Sequence, residues 1–152
     1  MTLEEFKSNI TVLDEDTASE FRDIYINTFI DINSPHYIEY IIKLRNFPNG
    51  DFYMGFLWDC LKSPKIIKFN YIKNMFFTND VYVFWDIHFY IEDNWKFKKN
   101  DMLKLSYELL LDNLQYLPED IYIFDETLDW TLILTHETNL KGWPYHLKSG
   151  NI

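Results

Sequence analysis

Asp86, His88, His136 and Glu137 have the side chains of a metal or acid–base site. Asp86 and His88 stand two apart in a run of strand formers, so both point to one face of a strand. His136-Glu137 closes a second such run. Imidazole and carboxylate groups meeting from two strand ends would suit a divalent cation, with Asp125 or Asp129 as a further oxygen ligand. No HExxH, paired CxxC or other closely spaced ligand motif accompanies them. The simpler reading makes them hydrogen-bonding residues at strand ends and turns, because a metal site needs a tight set of ligands.

Asp125, Glu126 and Asp129 offer acid–base chemistry, since crowded carboxylates raise one another's pKa. The same residues are ordinary turn formers whose side chains bond the local backbone. Cys60 lies beside Trp58 and Leu61, the setting of an inert core thiol. No GxSxG elbow occurs, and a chain with 4 Gly has no glycine-rich phosphate loop. The balance leans against an enzyme without settling it, and no cofactor is expected.

A third constellation pairs tryptophans with acids: Trp58-Asp59, Trp85-Asp86 and Asp129-Trp130. If the acids share one rim, they form an acidic patch with aromatic anchors, suited to a basic protein partner. Asp59, Asp86, Asp125, Glu126, Asp129 and Trp130 are the residues expected to contact it. The alternative is that the tryptophans are core and the acids merely surface.

The elements that must position these residues read as follows. Ile121–Phe124 and Trp130–Thr135 flank a polar turn at 125–129, a β-hairpin signature. Every formal charge in Glu119–Glu137 is negative. A third strand is expected at Val81–Phe89, nearly continuous in apolar residues up to Trp85 and so central or covered on both faces. Thr2 and Glu5 form a capping box for a helix over 2–9. A longer helix follows, with Asp16 or Thr17 as N-cap and Phe21, Ile24, Tyr25, Thr28 and Phe29 as its stripe. Ser34-Pro35 opens another, facing inward through Ile38, Ile41, Ile42 and Leu44 and stopped at 47–50. Helices are also expected over 51–61, over 65–77 after Ser63-Pro64, and over Met102–Tyr116. At 65–77 the alternation of Ile67, Phe69 and Tyr71 competes with the helical spacing. The tail from Asn139 reads as a loop. The fold class is therefore α+β: one domain, its helical N-terminal half packed on a small antiparallel sheet of at least three strands that includes the C-terminal hairpin.

Size and charge narrow the function. A chain of 152 residues fits a single domain with its own core. A net charge of −10 argues against nucleic acid and anionic membranes as partners and favours basic ones, or serves solubility. The charge is segregated, acidic at Asp14–Asp23 and Glu119–Glu137 and basic at Lys62–Lys73 and Lys96–Lys104. No apolar run reaches the roughly 18 residues of a membrane helix, and the N-terminus lacks a signal peptide's basic and apolar segments. A cytoplasmic location is the expectation. The lone Cys60 is compatible with it.

YMGFLWDCL, VYVFWDIHFYIEDNWKF and LPEDIYIFDETLDWTLILTHE, within 51–137, resemble a group of small acidic bacterial proteins associated with immunity to secreted or contact-dependent toxins. The resemblance implies neutralisation of one cognate toxin by tight binding, and it supplies no catalytic residues. The expected function is an acidic, immunity-type binding protein. The alternatives are a metal-dependent enzyme using the Asp86, His88, His136 and Glu137 cluster, and a structural adaptor domain.

Overall fold

The hairpin sits at the middle of the sheet. A computed structural model describes residues 1–43, 53–88 and 96–152. β1 (Thr11–Val12), β2 (Lys65–Ile67), β3 (Val81–Phe84), β4 (Leu103–Leu105), β5 (Ile121–Phe124), β6 (Trp130–Leu134) and β7 (His146–Gly150) form one antiparallel sheet in the order β1-β4-β3-β5-β6-β7-β2. All residues of β3, β5 and β6 are buried. This is why those runs, Thr131 apart, are continuously apolar or aromatic instead of alternating.

Both faces are covered. Helix α2 (Glu15–Phe29) lies on one, with Tyr25 against Phe84, Tyr122 and Phe124. The Tyr25 hydroxyl is 2.7 Å from Thr131 Oγ1, so the ring is buried without stranding its polar end. The opposite face packs Val81, Val83, Leu103, Leu105, Ile121, Ile123 and Leu132 against α1 (Leu3–Ser8), α3 (Phe69–Lys73) and α4 (Tyr107–Asp112) through Phe6, Ile72, Tyr107 and Leu110. Each large apolar side chain so buried is worth about 1.5–3 kcal/mol.

The α+β class holds, with a sheet larger than three strands. The capping box at Thr2 and Glu5 is present. The N-cap of α2 is Asp14, which accepts from Thr17 N at 2.8 Å, in place of Asp16 or Thr17. Its buried face is Ala18, Arg22, Tyr25, Ile26 and Phe29, which leaves Ile24 and Thr28 exposed. The helix after Ser34-Pro35 is a π-helical turn, Tyr37–Ile42, that buries Tyr37 and Ile41 and exposes Ile38 and Ile42. Leu44 and the stop at 47–50 lie outside the described residues, as do 51–52 and 89.

Three expected helices change character. Within 51–61 the described part holds only a 3-10 turn, Leu57–Cys60. Gly55 is needed for close approach instead, because a Cβ there would lie 2.8 Å from His36 Nε2 and Tyr40 Cβ. The 65–77 segment divides into strand β2 and the short helix α3. Within 102–116, Leu103 and Leu105 alternate inward as strand β4, and Ser106 then caps α4 through Leu109 N at 3.2 Å. The expected strand to Phe89 stops pairing at Phe84. In the tail, His146–Gly150 is a strand between β6 and β2 and not a loop.

Gly150 pairs with Trp130 at φ +85°, where a Cβ would collide with Asp129 O and stand 2.9 Å from Trp130 Cα. Gly150→Ala should therefore lower stability by about 2 kcal/mol or more, read as a fall in the urea midpoint at unchanged slope.

Candidate functional site

Asp86 lies two residues past the end of β3 and is 2% exposed. Its Oδ1 accepts from the Tyr53 hydroxyl at 2.7 Å and from Leu57 N at 3.0 Å, and its Oδ2 from the Tyr122 hydroxyl at 2.7 Å. Trp58 N in turn donates to the Tyr122 oxygen at 3.0 Å. Burial pushes the Asp86 pKa up against the opposing pull of His88 and of these donors. Asp86 is thus an interior carboxylate that holds the 53–60 segment, and not a residue of the contact surface.

His88 is 3% exposed, and its Nε2–H donates to the Gly55 carbonyl at 2.7 Å. His136 Nδ1 lies 2.9 and 2.8 Å from the Asp120 oxygens, and its backbone N–H donates to Asp120 Oδ1 at 3.0 Å. Glu137 Oε1 is 3.5 Å from His136 Nε2. Between these groups stands Phe56, its ring 4.8 Å from that of His88 and 5.3 Å from that of His136. The two strand ends therefore meet through an aromatic ring. Asp86, His88, His136 and Glu137 do not converge, and no group of three or more His, Cys, Asp or Glu among the described residues is placed to hold a metal ion. Asp120, missed as a partner of His136, is recognisable only once β5 and β6 are paired.

The tryptophans are interior. Trp85 is 0% exposed, and Trp130, at 5%, stacks on Phe77 at 4.2 Å. Trp58 stacks on Phe56 at 5.2 Å. Trp130 thus anchors the core, while its indole N–H donates outward to Asp125 Oδ2 at 3.1 Å. The acids do not share one rim. Asp59, exposed and 3.8 Å from His36 Nε2, has Glu137, His136 and Asp120 as charged neighbours at the open end of the hairpin. Asp125, Glu126 and Asp129 occupy its turn. Burial raises the Asp59 pKa, with His36 opposing and Glu137 adding to the rise. Cys60 is buried and its thiol is pushed up to about 12, the inert state expected of it.

The turn is locally knit. Leu128 N donates to Asp125 O at 3.1 Å, and Asp125 Oδ1 accepts from the Thr127 N–H at 2.9 Å and from its hydroxyl. These bonds place Asp125 in a structural role. Leu128 takes φ +55°, uncommon for a residue with a side chain. Its side chain closes a cleft of about 210 Å³, lined also by Phe21 and Ile24 of α2, Tyr82 of β3, Phe124 of β5, and Asp125 and Glu126. The walls are almost wholly apolar. Sequence reading missed the five apolar wall residues. By spacing alone Phe21 and Ile24 belong to the helix core, and nothing in the sequence brings them to the turn.

No family model matches this chain, nor does any curated protein or solved structure.

Two outcomes follow. Asp86→Ala leaves two tyrosine hydroxyls and Leu57 N–H without their acceptor, and should cost about 3 kcal/mol or more in urea unfolding at neutral pH. Asp86→Asn keeps a carbonyl acceptor and should cost less. For His136, burial alone lowers the pKa, but the hydrogen bond and charge of Asp120, with Glu137 and Glu119, outweigh it and the net shift is upward. That stabilisation is fully present below the unfolded value of 6.5 and is lost as pH rises through the higher folded value. Imidazole proton NMR should place the His136 midpoint above 6.5, and Asp120→Asn should bring it down.

Proposed function

We propose that this chain is a non-catalytic binding protein of the immunity type, acting in the cytoplasm to neutralise a basic toxin domain by occupying its surface. The observation that carries the reading is the junction of two acidic elements across the cleft. On α2, Glu15, Asp16, Glu20 and Asp23 are exposed, while the helix's one base, Arg22, is 4% exposed and donates to Trp85 O at 2.9 Å. Phe21 and Ile24 meet the turn that carries Asp125, Glu126 and Asp129. The cleft thus sets apolar contact area beside exposed acids that outnumber the one base near it, Lys104, whose Nζ is 5.8 Å from the Tyr82 ring centroid. That is the complement of a lysine- and arginine-rich surface, where charge steers encounter and apolar contacts hold the complex. The resemblance of the 51–137 segments to immunity-associated proteins points the same way. No helix among the described residues is long and apolar enough to cross a membrane.

Joint replacement of Asp125, Glu126 and Asp129 by Asn, Gln and Asn tests this. Tagged wild-type protein should retain from its source lysate a basic partner that is released by moderate salt. That partner should be toxic when expressed alone and harmless when co-expressed with this chain. The triple variant should bind it at least tenfold more weakly and with a shallower salt dependence. Unchanged affinity would remove the turn from the interface, and a partner whose toxicity this chain leaves intact would remove the neutralising role.

A further inference from the structure

We propose that the open edge of β2 is a docking edge for an acidic, extended peptide segment of a partner, which adds to the sheet there as a further strand. β6 and β7 stand between β2 and β5, so this is a second surface, distinct from the acidic one. Residues 60–79 and 138–152 contain six lysines, Lys62, Lys65, Lys68, Lys73, Lys141 and Lys148, and no Asp or Glu. In a chain of net charge −10, the pairing of β2 with β7 brings these two acid-free segments together. The register sets Lys65 directly opposite Lys148. Like charges so placed destabilise a strand pair, and no Asp or Glu among the described residues forms an ion pair with any of the six lysines.

Groups other than side-chain carboxylates hold three of these lysines. Lys62 Nζ donates to Asn27 O at 3.4 Å, and Lys68 Nζ stands 4.8 Å from the Trp143 ring centroid. Lys148 Nζ lies 4.3 Å from the Tyr71 centroid and donates to the Tyr71 hydroxyl at 3.0 Å and to Ile152 O at 3.3 Å. A ring orients an ammonium without cancelling its charge. The edge beside them is open: β2 ends the sheet order, and Lys65 and Ile66 are exposed, Ile66 by 70%. Such an edge offers a row of backbone donors and acceptors that only another peptide strand can pair. Edge lysines repel a strand of their own sign and so leave an acidic one as the occupant. Ile66, across from Leu147, gives that strand apolar contact. The three residues of β2 span about 10 Å, close to the Debye length of about 8 Å at physiological salt. A short acidic segment therefore feels these lysines, while a long polyanion runs on to surface where acids outnumber bases.

The test is an NMR titration of the full chain with three acetylated, amidated hexapeptides. One alternates Glu with Val and a second alternates Lys with Val. The third has Pro in place of every Val of the first, which keeps the charge and removes strand pairing. The Glu–Val peptide should shift the Lys65, Ile66 and Ile67 amide signals, saturate in the millimolar range and slow amide exchange in β2. The Lys–Val peptide should leave those signals unmoved. The Glu–Pro peptide should bind about fivefold more weakly or worse, the scale of one lost hydrogen bond. Lys65→Gln, at an exposed position, should weaken the Glu–Val peptide about threefold, the scale of one solvent-facing charge pair. Joint Lys65→Glu and Lys68→Glu should weaken it roughly tenfold or more, with the far-UV circular dichroism of the wild type. Absence of shifts with the Glu–Val peptide, equal binding of the Glu–Pro peptide, or indifference to the substitutions would each overturn the assignment. So would β2 signals that move on dilution of the chain alone, which would give the edge to a second copy. The same holds for β2 signals that answer to oligothymidylate or phosphatidylserine vesicles and not to the Glu–Val peptide.

Discussion

The buried carboxylate of Asp86 is the constraint on which one whole layer of the molecule depends. The 53–60 segment covers the β3 and β5 face with little more than a 3-10 turn, so its backbone polar groups have almost no ladder to join. Leu57 N–H reaches Asp86 and Trp58 N–H reaches the Tyr122 oxygen, itself bonded to Asp86. His36 and the buried His88 hold the Phe56 and Gly55 carbonyls. Side chains thus do for this segment what strand pairing does elsewhere, and a satisfied polar network in a low-dielectric interior fixes one arrangement of it.

What the sequence made legible was whatever is decided locally. The Thr2–Glu5 capping box and the two runs of the hairpin are set by neighbours a few residues apart, and both are where their residues place them. The errors fall on strands of three to five residues whose partners are distant. Leu103, Tyr107, Leu110, Leu111 and Leu114 have good helical spacing, yet Val81 and Val83 pair with Leu105 and Leu103 and draw them into the sheet, leaving Ser106 to start the helix. His146–Gly150 contains no β-branched residue and is a strand because β6 and β2 flank it. At the site, the acids of the turn were readable as exposed. Asp86 was not readable as interior, because burial there follows from the central place of β3, whereas a core position for Trp130 was one of the two readings its sequence allowed. The cleft was invisible for a related reason: Phe21, Tyr82 and Phe124 come from separate parts of the chain.

The turn that bears the acidic residues is stiff. Asp125 bonds Thr127 and Trp130, Thr127 bonds Asp129 N, and Asp129 O accepts from Asn151 N. A left-handed leucine costs about 1 kcal/mol or more. Leu128 offsets this by packing against the cluster that contains Tyr25, Phe84 and Phe124. Charges on such a loop are presented in a nearly fixed pattern, so little ordering entropy is lost when a partner docks against them.

Strand β7 ties the sheet together across a long stretch of sequence. Ser149 donates to the carbonyl of Lys62, 87 positions earlier, and among the described strands β2 pairs only with β7. During synthesis β2 leaves the ribosome second of the seven strands, yet it has nowhere to sit until β7 follows. Meanwhile β6, every residue of which is buried in the finished sheet, carries a bare edge. Long-range pairing of this kind is slow, and a waiting edge is open to wrong neighbours. A nascent chain stalled short of His146 is therefore the form of this protein most in need of a chaperone.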